Sequence, residues 1–197
     1  DKFTKKCYEH FVANLRAFPC TLLLYSIIGG LLFNNPAYIV FGIYTCLCDG
    51  IISPSLKKIT ELIYKALKKD TIPLLGIGKR PEGAKYCGCY ITESNLEGKT
   101  SSYGMPSGHC ITAGITFAFW FLYFQEHTKD LKLRRRQHVI LGLICGAVMI
   151  SRVYLGCHTI QQVIIGALIG GGLGVFGYKC LYRKALYYID YYNLLNF

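Results

Sequence analysis

The chain has 197 residues, a length that fits one domain with a substantial core and leaves no room for a second large one. Hydrophobic residues make up 52% and mean hydropathy is +0.32, more than a soluble domain of this size needs to fill its interior, so lipid is the expected solvent. The net charge of +11 comes in blocks set between apolar runs, such as Lys65, Lys68, Lys69 and Lys132, Arg134, Arg135, Arg136, which is how membrane flanks are charged; no polar domain is left over, and no nucleic-acid partner is expected.

Residues 1–17 are a mixed, basic, polar segment, and the first apolar run lacks a small-residue cleavage site after it, so no cleavable signal peptide is expected. Five apolar segments follow, at 18–33, 37–52, 106–125, 137–155 and 158–178. A helix needs about 20 residues to cross a hydrocarbon core. The first two segments are short and are separated only by Asn34, Asn35 and Pro36, which predicts a tight helical hairpin. Residues 54–69 place Lys57, Lys58, Lys65, Lys68 and Lys69 between Leu56, Ile59, Leu62, Ile63 and Leu67. That pattern is an amphipathic helix, lying at the interface or completing the second span.

Residues 70–105 are rich in Gly, Pro and polar side chains and read as a long extramembrane loop, a length that is often functional. The last three runs form two antiparallel turns, and the aromatic tail, 185–197, suits a membrane interface. The whole chain therefore reads as one all-α domain, a multi-pass transmembrane helical bundle of about five spans. Its ten cysteines and five histidines do not complete the spacing of a structural zinc site. Most of the cysteines are expected to be small apolar fillers, with Cys87 and Cys89, in the polar loop, the pair placed to oxidise.

Three stretches concentrate groups suited to phosphate: Gly78-Lys79-Arg80-Pro81, Met105-Pro106-Ser107-Gly108-His109, and Ser151-Arg152 followed after five residues by His158. Alternating spans bring all three to one membrane face. Arg80 and Arg152 offer planar forks of fixed charge, Ser107 a hydroxyl, and Gly108 a bare backbone N–H at a helix N-terminus, where anions are favoured. Two histidines can divide the covalent work between attack on phosphorus and protonation of the departing oxygen. No carboxylate lies within these stretches, so neither a metal nor another cofactor is expected.

In order and content the stretches resemble the three motifs of the type 2 phosphatidic acid phosphatase superfamily, over about residues 52–171. The resemblance implies a membrane lipid phosphatase that forms a phosphohistidine. In that reading His158 is the nucleophile, His109 the general acid, and Arg80, Ser107, Gly108, Ser151 and Arg152 the phosphate cradle. Gly104-Met105-Pro106 and the residues around His158 are similar to the dolichyl diphosphate phosphatase branch, which implies a polyprenyl diphosphate rather than phosphatidic acid as substrate.

Two positions depart from the pattern. Where the family has Asp four residues after the nucleophile, this chain has Gln162, which can still orient His158 across one helical turn but brings no charge; on charge alone, Gln162→Asp preserves or raises the rate. The first-motif lysine is missing, because Pro73 stands seven residues before Arg80. Lys57 or Lys58 takes that role across an insertion, or Lys79 substitutes from next door.

Two further readings stand beside the hydrolase: a phosphotransferase, or vanadate-holding site, of the same design, and a weakened scaffold that only binds lipid headgroups. Arg134, Arg135 and Arg136, with Lys179, Arg183 and Lys184, lie at the end opposite the motifs, so by the positive-inside tendency the site faces the lumen or exterior; the lysines of 57–69 pull the other way.

Overall fold

The computed structural model describes residues 2–84 and 103–191, with side chains placed for 4–84 and 103–188. Helix α1 (Lys2–Phe33) carries Pro19 in its interior and turns at Asn34 and Asn35 into α2 (Pro36–Leu47). Asn35 caps α2, its side-chain oxygen accepting from the Ala37 N–H at 2.9 Å, and Pro36 supplies the first-turn φ. A π-helical stretch, Cys48–Ile52, joins α2 to α3 (Ser53–Leu67) without a break. The amphipathic segment therefore completes the second span, which runs 32 residues.

Lys68 ends α3 in the left-handed region, and a small antiparallel hairpin follows, β1 (Thr71–Ile72) with β2 (Gly76–Ile77). Helices α4 (Gly108–His127), α5 (Leu131–Tyr154) and α6 (Ile160–Phe176) come next. A second π-helical stretch, Gly177–Tyr182, carries α6 into α7 (Arg183–Tyr191). Cys87 and Cys89, most of the predicted loop, and the last residues of the aromatic tail lie outside the described residues.

Among the described residues, four helical stretches are long and apolar enough to cross a membrane: 4–33, 36–67, 131–154 and 160–188. Helix α4 is 20 residues long, and its first three turns are enclosed by the other helices. The packing is inverted relative to a water-soluble domain. Leu31, Leu143, Ile150 and Leu168 are each 68% exposed or more, whereas Arg152, Ser107 and Gln162 are fully buried. An apolar outside around a polar inside is the arrangement lipid selects, and the chain is an integral membrane helical bundle.

Two packings set the geometry. At one end, Phe41, Phe119, Trp120, Tyr178 and Tyr182 form an aromatic core, with Phe119 edge-on to Tyr178 at 5.5 Å. Along the length, Gly166, Gly170 and Gly174 of α6 lie against the carbonyl oxygens of Ser107, Ile111 and Ile115 on α4, so closely that a Cβ at Gly166 or Gly174 would come within 2.7 or 2.6 Å of them. This small-residue seam brings the start of α4 against the start of α6.

Candidate active site

The site forms where α4 and α6 begin and α5 ends. The final turn of α5 delivers Ser151 and Arg152; the chain then reverses through Gly156, whose positive φ of 66° suits a residue without a side chain. The N–H groups of Cys157 and His158 both donate to the Arg152 carbonyl, at 3.0 and 3.1 Å, which fixes His158 beside its own helix end. Thr159 then caps α6 in a reciprocal capping box with Gln162.

Gln162 is the hub. Its Nε2 donates to the carbonyls of Ile77 (2.9 Å) and Lys79 (2.8 Å), tying the loop that carries Arg80 to the first turn of α6. With the amide nitrogen so committed, the oxygen faces His158, whose Nδ1 lies 2.9 Å away. An acceptor there requires Nδ1 to carry the hydrogen and leaves the Nε2 lone pair available. Gly104 makes the approach possible, since a Cβ there would stand 2.6 Å from Gln162 Oε1 and 2.8 Å from Arg80 Cγ.

His158 is 5% exposed. Burial first, then the positive charge of Arg80, push its pKa down to about 3; the Gln162 hydrogen bond opposes them. The side chain is therefore a neutral imidazole at any ordinary pH.

Arg152 donates from Nε and Nη2 to Ser151 Oγ, at 3.1 and 3.0 Å, and Ser151 Oγ donates to the Val148 carbonyl at 2.6 Å. Arg152 Nη1 is buried with no hydrogen-bond partner among the described residues. Ser107 Oγ is likewise buried and unbonded, with only the weakly interacting Cys110 thiol beside it. Buried donors of this kind cost about 1–3 kcal/mol each unless something accepts from them.

His109 Nε2 lies 2.8 Å from the Arg16 carbonyl of α1, an acceptor only, so that nitrogen carries its hydrogen and Nδ1 is left to exchange a proton. The charges of Arg152, Lys57 and Arg80 all reach His109.

The three lysine candidates separate cleanly. Lys79 is turned outward, its ammonium 3.2 Å from Asp70 in an exposed ion pair. Lys58 pairs with Glu61 at 3.2 Å on the outer face of α3. Lys57 turns inward, and its Nζ stands 3.5 Å from where a Cβ on Gly108 would be.

Sequence reasoning missed several groups here. Asp49, on the π-helical stretch, accepts from Thr112 Oγ1 at 3.3 Å and its charge reaches Lys57, so a carboxylate does stand beside the cradle. Its signal was legible as a lone acid inside an apolar run, a default functional marker in membranes. Arg16 approaches from α1 and carried no such signal. Cys20 and Cys157, counted as fillers, are disulfide-bonded, while Cys7, Cys46, Cys48, Cys110, Cys145 and Cys180 are free.

Fold and site together define a membrane-embedded helical bundle whose arginines and imidazoles, the buried Arg152 and His158 among them, converge at one end. The model of the PAP2 superfamily matches residues 69–186, more than half of the chain, and the chain belongs to that family. It is similar to dolichyldiphosphatase 1 of Callithrix jacchus, 37% identical over 83 residues (38% of this chain, 35% of that protein). It is also similar to phosphatidylglycerophosphatase B of Bacillus subtilis, 35% identical over 71 residues (36% and 35%), and to dolichyldiphosphatase of Saccharomyces cerevisiae, 36% identical over 76 residues (38% and 32%). The chain spans about a third of the length of these curated relatives. No solved structure matches it.

Proposed function

We propose that the protein is a membrane lipid phosphatase that works through a phosphohistidine on His158. One observation carries this reading: the Nε2 lone pair of a neutral His158 stands in a site whose buried donors, Arg152 Nη1 and Ser107 Oγ, have no acceptor among the described residues. A phosphoryl group accepts from those donors, with Lys57, Arg80 and the Gly108 N–H completing the cradle. His158 Nε2 attacks phosphorus while the P–O bond to the lipid breaks; its electron pair goes to the departing oxygen, which takes the Nδ1 proton of His109, a ring that enters the step as an imidazolium and leaves it neutral. Water then attacks the phosphohistidine, forming a P–O bond and breaking P–N, and returns a proton to His109. Asp49 acts on this scheme indirectly, as the counter-charge that holds Lys57 inward.

A polyprenyl diphosphate is the preferred substrate, supported by the similarity to proteins named dolichyldiphosphatase. The site faces the lumen or exterior, supported by disulfide-bonded Cys20 and Cys157, because disulfides persist in oxidising compartments. The test is phosphate release from detergent-solubilised protein offered a polyprenyl diphosphate and phosphatidic acid, with excess chelator present. Turnover in chelator, lost on the order of 10³-fold in His158→Ala together with acid-labile phosphoenzyme, is the expected result. Full activity of His158→Ala eliminates the phosphohistidine, and chelator inhibition of the parent eliminates the metal-free scheme.

A further inference from the structure

One cation at the site has no part in the scheme above. Arg16 lies on α1, outside the stretch matched by the family, and its Nε is buried without a hydrogen-bond partner among the described residues. Its charge reaches Arg152, so two guanidiniums repel at close quarters in a low-dielectric interior. Its backbone carbonyl holds His109 Nε2 at 2.8 Å, which places Arg16 beside the ring of the general acid. Beside it runs a groove of about 620 Å³ between α1 and the end of α5, lined by Tyr8, Glu9, Val12, Ala13, Arg16, Ala17 and Leu155. Apart from Glu9, the Tyr8 hydroxyl and Arg16 itself the walls are apolar.

A largely apolar groove with a cation in its wall, beside a general acid, suits an amphiphile whose leaving group is itself anionic. We infer that Arg16 binds the lipid-proximal phosphate of a diphosphate substrate, with the lipid chain in the groove, and so selects diphosphates over monophosphates. This rests on the phosphatase reading. In the first step the bridging P–O bond breaks, the bridging oxygen keeps the electron pair and accepts the His109 proton, and the leaving group is a lipid monophosphate whose negative charge Arg16 neutralises. A lipid monophosphate leaves as a neutral alcohol and presents no charge there, so Arg16 favours one class only.

The experiment compares farnesyl diphosphate with farnesyl phosphate, which share a tail, on the full chain in detergent. Arg16→Gln should lower the ratio of the two kcat/KM values, diphosphate over monophosphate, by about 10- to 100-fold, the worth of one charge-assisted hydrogen bond, and Arg16→Lys should recover part of it. An equal fall on both substrates overturns the assignment, while a parent protein inactive on both overturns the phosphatase reading beneath it. Titration calorimetry on the parent tests the site without turnover or variants. Inorganic pyrophosphate should bind at least about tenfold more tightly than inorganic phosphate, and equal affinities overturn the inference.

Discussion

Gln162 stands where the family pattern has a carboxylate, and its bonding shows why an amide suits this chain. Both amide hydrogens go to carbonyls of the loop carrying Arg80, and the oxygen serves His158 and the Thr159 N–H. A carboxylate has no hydrogens to give, and would face the Ile77 and Lys79 carbonyls with like partial charge. Geometry thus reverses the expectation drawn from charge alone: Gln162→Asp should lower kcat/KM about tenfold, the cost of one to two lost hydrogen bonds, measured by phosphate release. An unchanged or higher rate would mean that the added charge outweighs the loop. The depressed pKa of His158 yields a second outcome. An ordinary imidazole is half protonated near about pH 6.5, but His158 should show unmoved imidazole ¹⁵N shifts from about pH 7 down to about pH 5. Because its folded pKa lies below the unfolded value, neutral His158 stabilises the fold above about pH 6.5, and that contribution fades as pH falls toward 3.

Helices α4 and α6 each bring half of the chemistry, Ser107 to His109 on one and His158 to Gln162 at the start of the other, and glycines decide how near these come. A Cβ on Gly170 would collide with the Ile111 carbonyl, a rigid backbone atom, whereas Gly171 and Gly172 of the same run have nothing within 4 Å. Gly170→Ala should therefore destabilise the bundle by about 1–3 kcal/mol and reduce turnover by spreading the two motifs, while Gly171→Ala leaves both near the parent values. Thermal unfolding in detergent alongside phosphate release reads both effects. Equal behaviour of the two variants would show that the seam does not position the site.

Taken end to end, α5 separates two chemistries: Arg134, Arg135 and Arg136 stand in its first turns and Arg152 in its last, about 27 Å apart at 1.5 Å per residue. With the guanidinium cluster held on the cytoplasmic side, Arg136→Cys should react with an impermeant thiol reagent only after the membrane is opened. In the same sealed preparation Cys20 and Cys157 should resist alkylation until reduced. Labelling of Arg136→Cys from outside intact membranes would invert the proposed orientation.

The residues proposed to carry the chemistry were legible in the chain, because phosphate handling needs rare side chains in fixed order, and a span of apolar residues announces itself by length alone. Pro106-Ser107-Gly108-His109 and Ser151-Arg152 to His158 therefore stood out without any structure. Tertiary packing decided the rest. Which lysine faces inward depends on the unbroken run from α2 through α3, since the same helix points Lys57 to the cradle and Lys58 to Glu61. What Gln162 does depends on a loop about 80 residues away in sequence. Arg16, Asp49 and the disulfide-bonded Cys20 and Cys157 join the site only because α1 and α2 fold back along the later helices, and no local pattern encodes an approach between segments so distant in the chain.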